Sequence, residues 1–309
     1  MRVLWMGLND EGGCVLHWHK LRLHLRDEYG VELCGPGYSW ESGPRILSDI
    51  LQEVGKIDWL VLDDANAKGY LPVKIDCAPD AKVAWREHDW HNRNRQAVAS
   101  AMKPDLIFGC VDRPLNGEAI DEWRGSPNWH YVPHPVDTEL FHPNGERDID
   151  VALYGSTAKV YPNRQRAKQI LRERGGNAWL PVHGGYWKNG VEHNDGIRTF
   201  YNENLAKMLA RVKCCFVSGG HWKGCVLKYF EAAASGCLMF GIPPYPSTID
   251  FPYKWLISCK PEEINEVLDD VLRRDGEREN TTEECRAHLE EHHSIPARAR
   301  QIMELFHAH

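Results

Sequence analysis

The sequence predicts an α/β protein made of two doubly wound, Rossmann-like domains. Three observations carry this expectation. Short apolar runs alternate with helix-patterned stretches in both halves, a proline-rich break separates the two series, and 309 residues suffice for two domains of roughly 150 each. The expected division is 1–145, 146–294 and a C-terminal helix over 295–309 that has the option of crossing back to the first domain.

In the first half, Arg2–Leu8 reads as a strand and Gly12 with Gly13 as a turn. Cys14–Tyr29 reads as a helix ended by Gly30, and Val31–Gly35 as a second strand. Arg45–Val54 carries apolar residues at helical spacing, and Ile57–Leu62 is a buried strand bounded by Asp63 and Asp64. Lys82–Trp85 and Leu106–Gly109 are further strands. Residues 127–145 then hold four prolines, which block helix and remove backbone donors, as suits a connection between domains. The alternation restarts with strands at Asp150–Tyr154, Ala178–Val182, Cys214–Val217, Cys237–Phe240 and Trp255–Cys259. Helices are expected at about Asn163–Arg174, Thr199–Val212, Val226–Ser235, Pro261–Arg273, Thr282–His292 and Pro296–His307. Two such sheets bind ligands at the carboxyl ends of their strands.

Bulk properties narrow the function classes. No apolar run approaches the ~18–20 residues of a membrane span, and the N-terminus lacks the apolar region and cleavage site of a signal peptide. A cytoplasmic protein is the expectation. Ten scattered cysteines without a Cys-x-x-Cys pair fit buried reduced thiols. Among sixteen histidines, neither His17 with His19 nor His292 with His293 has further ligands at recognisable spacing, so no metal site is expected. A net charge of −7 argues against a large basic nucleic-acid face, though not against a local basic channel.

The segment Ser218–Gly236, SGGHWKGCVLKYFEAAASG, carries the most chemistry. A strand ends, a glycine-rich loop including Gly220 follows, and a helix begins near Val226. Glycines allow close backbone approach, and the first helical N–H groups attract an anion. Lys228 and Glu231, three residues apart, share a helix face. The cation suits a diphosphate, and the carboxylate one turn deeper suits two ribose hydroxyls. Spacing alone is equally met by a surface ion pair over an alanine-rich helix.

The run from Lys228 to Gly236 resembles the nucleotide-binding signature of GT-B glycosyltransferases, lysine-x-x-glutamate followed by small residues and glycine. The linker Val132–Pro143 and the run Asp150–Ser156 resemble the same enzymes. The spore-maturation-protein-like glycosyltransferases of group 1 share the element Tyr161, Pro162, Asn163, Arg164. The resemblance is specific over about residues 129–259. It implies a GT-B fold, with an acceptor-binding N-terminal domain facing a C-terminal domain that binds a nucleotide sugar, UDP-sugar being favoured. It also implies transfer to an acceptor hydroxyl, hexosyl transfer above all, with no cofactor and no metal. Glu231 would hold the ribose, while Lys228, Gly155 and Ser156 contact the diphosphate. Arg164 is a weaker donor-side candidate, since an arginine on a helix surface is commonly solvated. Many relatives have a second glutamate eight positions before the ribose-binding one. Lys223 stands there in this chain, which leaves the donor sugar open.

On the N-terminal side, Ala84–His91 resembles the histidine-aspartate element that follows a strand in retaining members. There His88 would face the donor sugar, with Asp89 orienting it or anchoring the loop; a loop histidine without a task is the alternative. Gly12 and Gly13 stand where relatives approach the phosphates or the acceptor. Asp10, like Glu11, is either an acceptor-side carboxylate or a turn residue. Trp40 and His91 complete the acceptor-side candidates. The acceptor is a glycan, a small molecule or modified DNA. Arginine, histidine and tryptophan interleaved over Trp85–Gln96 suit a hydroxymethylated DNA base, and equally a solvated helix face. A degenerate nucleotide-sugar-binding protein without turnover is the alternative of another class. An enzyme that makes or epimerises nucleotide sugars is a third.

Overall fold

Every pairing in both large sheets is parallel, so each strand needs a crossover before the next and both sheet faces are covered. The structure, a computed structural model, describes residues 1–9, 16–41, 43–63, 73–87, 102–110, 128–181, 202–220, 224–244, 251 and 253–309. The chain divides into two units: Met1–Pro133 with Ile295–His309, and His134–Ser294.

The first unit runs β1 (Val3–Met6), α1 (Leu16–Tyr29), β2 (Glu32–Cys34), β3 (Arg45–Ile46), α2 (Leu47–Val54) and β4 (Trp59–Asp63). It continues with β5 (Val73–Lys74), β6 (Lys82–Glu87), β7 (Leu106–Gly109) and β8 (Trp129–Tyr131). Its sheet has the order β2-β1-β4-β6-β7-β8, and β3 pairs with β5 separately. The second unit runs β9 (Ile149–Ala152), α3 (Pro162–Arg174), β10 (Ala178–Trp179), α4 (Asn202–Leu209), β11 (Val212–Val217) and α5 (Leu227–Ala234). Then follow β12 (Leu238–Gly241), β13 (Leu256–Ser258), α6 (Ile264–Arg273) and α7 (Asp275–His292), in a sheet of order β10-β9-β11-β12-β13.

The last helix, α8 (Ile295–Ala308), belongs to the first unit. Ala299, Ile302, Met303 and Phe306 form one helical stripe and share a core with Trp18, Leu21 and Leu25 of α1. Phe306 lies 5.2 Å from Trp59, ring centre to ring centre.

In the second unit, alternation along the strands divides the apolar residues between two cores. Cys214 and Phe216 of β11 face one side with Val151, Leu238 and Phe240, while Cys215 and Val217 face the other with Met239, Tyr154, Tyr229 and Phe230. The nine cysteines among the described residues are free thiols. Burial pushes Cys214 and Cys285 up to about 12, and Cys237 and Cys259 up to about 11. Among the described residues, no helix is long and apolar enough to cross a membrane.

Three local expectations are revised. The proline-rich stretch is not merely a connection: Trp129–Tyr131 sits between its prolines, pairs with β7 and closes the first sheet at an edge, where proline neighbours are tolerated. Arg45 and Ile46 form a short strand before the helix rather than its first turn. Helix α7 starts at Asp275, seven residues before Thr282, with Asp275 and Glu277 complementing its N-terminal dipole and Arg278 paired to Asp275.

Candidate functional site

The strand order of each sheet reverses once, between β1 and β4 in the first unit and between β9 and β11 in the second. Chains leaving two such strands diverge, and the crevice between them is where open α/β sheets bind ligands. In the second unit, Leu153–Ser156 follows β9 and Ser218–Gly220 follows β11, so Gly155, Ser156 and Gly220 stand at that point.

Alternation past β9 carries Tyr154 into the core covered by α5 and leaves Gly155 at the edge. Gly155 has φ +92°, a left-handed conformation that suits glycine. A Cβ there would collide with Lys228 Cε, so the lysine stem lies directly on bare backbone. The Lys228 ammonium is 5.3 Å from the centre of the Tyr154 ring, within cation–π range. The Tyr154 hydroxyl donates to Glu231 Oε2 at 3.0 Å, with the Lys228 carbonyl at 3.3 Å as a weaker second acceptor. Tyr154 and Glu231 are each only 6% exposed. Burial, reinforced by the Glu231 charge, pushes the Tyr154 phenol well above its ordinary value, so it stays a neutral donor. Trp179 of β10 stacks on the Tyr154 ring at 6.2 Å. Helix α5 starts after an extended Val226 with no side-chain cap on its first amides.

Arg164 corrects the expectation of a solvated helix arginine. It is 2% exposed and donates to the Ser156 carbonyl at 2.9 Å and the Ser218 carbonyl at 2.5 Å. Its guanidinium lies 4.2 Å from the centre of the Tyr161 ring, just before α3. The side chain therefore ties the loop after β9 to the loop after β11. The Ser218 hydroxyl is buried beside it and has no hydrogen-bond partner among the described residues.

At the corresponding edge of the first unit, Asp63 is not a boundary residue but the buried last residue of β4. Arg22 Nη1 donates to it at 2.8 Å, Trp5 Nε1 at 3.0 Å, and Arg86 Nη1 pairs with its other oxygen. Burial pushes the Asp63 carboxyl up, but the Arg86 and Arg22 guanidiniums outweigh it and hold it at about 2. Arg22 also donates to the Leu8 carbonyl at 2.9 Å and to the Tyr38 hydroxyl at 3.2 Å, which joins the turn after β2 to the network. The Arg86 guanidinium stacks 3.7 Å from the Trp18 ring centre. Trp40 ends the turn after β2, half-buried, with its indole N–H donating to the Gly43 carbonyl at 3.2 Å and Arg45 beside its ring.

Asp10, Glu11, Gly12, Gly13, His88, Asp89, His91 and Lys223 lie outside the described residues. The structure thus brings together Gly155, Ser156, Arg164, Lys228 and Glu231. Tyr154 and Ser218 join them without having been singled out in the sequence. The signal available for Tyr154 was a hydroxyl-bearing residue at the end of an apolar strand, directly before the glycine.

The sequence model of a family described as glycosyl transferase-like matches residues 146–304, just over half of the chain. Among curated proteins none matches in sequence. In structure, the chain is similar to Anabaena HepE solved with UDP and glucose, at 8% identity, TM-score 0.62 and full coverage of both chains. It is also similar to a glycosyltransferase from Rickettsia africae, at 9% identity and TM-score 0.59, covering 99% of this chain and 97% of that one. At such identities the likeness concerns the fold, which is of the GT-B type.

Proposed function

The chain belongs to the glycosyl transferase-like family, and on that premise we propose that it moves a sugar, a hexose in our reading, from a nucleoside diphosphate sugar to an acceptor hydroxyl. The observation that carries this reading is the cluster at the β9/β11 reversal. One helix face there presents an ammonium seated on a bare glycine and a buried carboxylate three residues on. In this reading Glu231 accepts hydrogen bonds from the ribose hydroxyls. The diphosphate lies along the Gly155–Ser156 loop and the start of α5, with Gly220 admitting it closely. Lys228 and the first amides of α5 stabilise the charge that develops as the sugar–phosphate bond breaks and the diphosphate takes the electron pair. These cationic and amide donors replace a divalent ion, so no metal is required. UDP is the nucleotide we favour, a choice supported by the UDP complexes of the similarly folded HepE.

Incubating the full chain with UDP-glucose and a panel of other nucleotide sugars tests the reading. Slow release of UDP without acceptor, abolished in Glu231→Ala, is the expected result. No release from any UDP-, ADP- or GDP-sugar, with or without glycan, small-molecule or hydroxymethylated-DNA acceptors, would contradict it.

A further inference from the structure

Glu231 and Lys228 sit on one helix face, and Tyr154 on the neighbouring loop touches both. We infer that Tyr154 is the positioning residue of this site: its hydroxyl fixes the rotation of the Glu231 carboxylate, through which the site distinguishes ribose from 2′-deoxyribose, and its ring seats the Lys228 ammonium. The inference rests on the nucleotide reading above and assigns a selectivity to it.

A glutamate side chain has a soft terminal torsion, so an unpinned carboxylate presents its oxygens over a broad range of angles. Two adjacent ribose hydroxyls ask for a defined plane. The Tyr154 phenol has a single hydrogen and two acceptors within reach, Glu231 Oε2 at 3.0 Å and the Lys228 carbonyl at 3.3 Å. The shorter, charged acceptor takes it. The phenol ring is itself held by the stack on Trp179 and by burial, so the pin is rigid. The same ring carries the Lys228 ammonium at 5.3 Å, while Gly155 leaves room for the stem. One side chain therefore serves the sugar end through its hydroxyl and the phosphate end through its face.

This separation of roles gives the test. Titration calorimetry on the full chain measures the affinity ratio of UDP to 2′-deoxy-UDP in wild type, Tyr154→Phe, Tyr154→Leu and Glu231→Ala. Tyr154→Phe keeps the ring and should lower the ratio roughly tenfold, the worth of one hydrogen bond to a charged group. Tyr154→Leu, which also loses the ring, should in addition weaken both nucleotides together. In a Glu231→Ala background, Tyr154→Phe should change the ratio no further, because the two act as one unit. Binding by wild type with an unchanged ratio in Tyr154→Phe, or additive effects in the double variant, overturns the inference alone. A wild type that binds none of UDP, ADP and GDP overturns the nucleotide reading and this inference with it. Should Tyr154→Phe fail to fold, Glu231→Gln provides the second route. It keeps the phenol's acceptor oxygen and should retain more of the ratio than Glu231→Ala; equal loss in the two contradicts the pinning.

Discussion

In the first unit, the carboxylate that closes β4 is gripped by two guanidiniums and an indole; in the second, the carboxylate of α5 is held by a neutral phenol whose ring carries an ammonium. Both lie near the carboxyl edge of a parallel sheet, beside its reversal point. A buried anion answered by two cations is a structural fastening: it ties Leu8, Tyr38 and the end of β6 to β4 through Arg22 and Arg86. The Glu231 carboxylate accepts a hydrogen bond from a neutral phenol, and in our reading it also accepts from ribose hydroxyls. The contrast separates stability from binding. Changes at Asp63 should act on folding, and changes around Glu231 on ligand affinity.

The largest effect should come from Asp63→Asn, which leaves two buried guanidiniums without their anion. Loss of one partner from such a group costs about 3–5 kcal/mol, readable as a lowered denaturation midpoint, while nucleotide affinity of the folded protein stays unchanged. Glu231→Ala should do the reverse. Nucleotide affinity should fall by about 2–3 kcal/mol, roughly 30- to 150-fold, with little change in unliganded melting by calorimetry. Acid should expose the same asymmetry. The folded-state Asp63 pKa of about 2 is depressed below its unfolded value of 3.8, so its stabilisation is full above the unfolded pKa and is lost as pH falls through the folded one. Melting temperature should drop between about pH 4 and pH 2, and the drop should be shallower in Asp63→Asn. Gly155→Ala adds a Cβ in a left-handed conformation and against the Lys228 stem, which should weaken nucleotide binding by about 1–2 kcal/mol. The smallest effect should be that of EDTA, which should leave donor turnover unchanged.

How much of this could be read from the chain depended on sequence distance. The Lys228–Glu231 pair and the glycine after β9 were legible because helical period and a glycine's backbone freedom are local properties. The doubly wound class followed from strand–helix alternation, but the place where each strand order reverses did not, because right-handed crossovers leave the order of strands open. The bracing contacts were not legible, because each joins distant segments. Tyr154 meets Glu231 across 77 residues, Arg164 reaches Ser218 across 54, and Arg22 reaches Asp63 across 41. Taken locally, Tyr154 is an aromatic at the end of an apolar strand, Arg164 one of several arginines on a polar helix, and Asp63 a charge that ends a strand. Only packing reveals that all three are buried. The strand Trp129–Tyr131 was hidden by flanking prolines that an edge position accommodates.

The central claim is that the second unit's edge holds a nucleoside diphosphate through Glu231. Its most direct test is the melting temperature of the full chain with and without UDP, ADP and GDP at millimolar concentration, in wild type and Glu231→Ala. Binding to the folded state raises that temperature by mass action. A rise with one nucleotide, UDP in our account, that disappears in Glu231→Ala is the predicted result. A rise that persists undiminished in the variant, or no rise with any nucleotide, would contradict it.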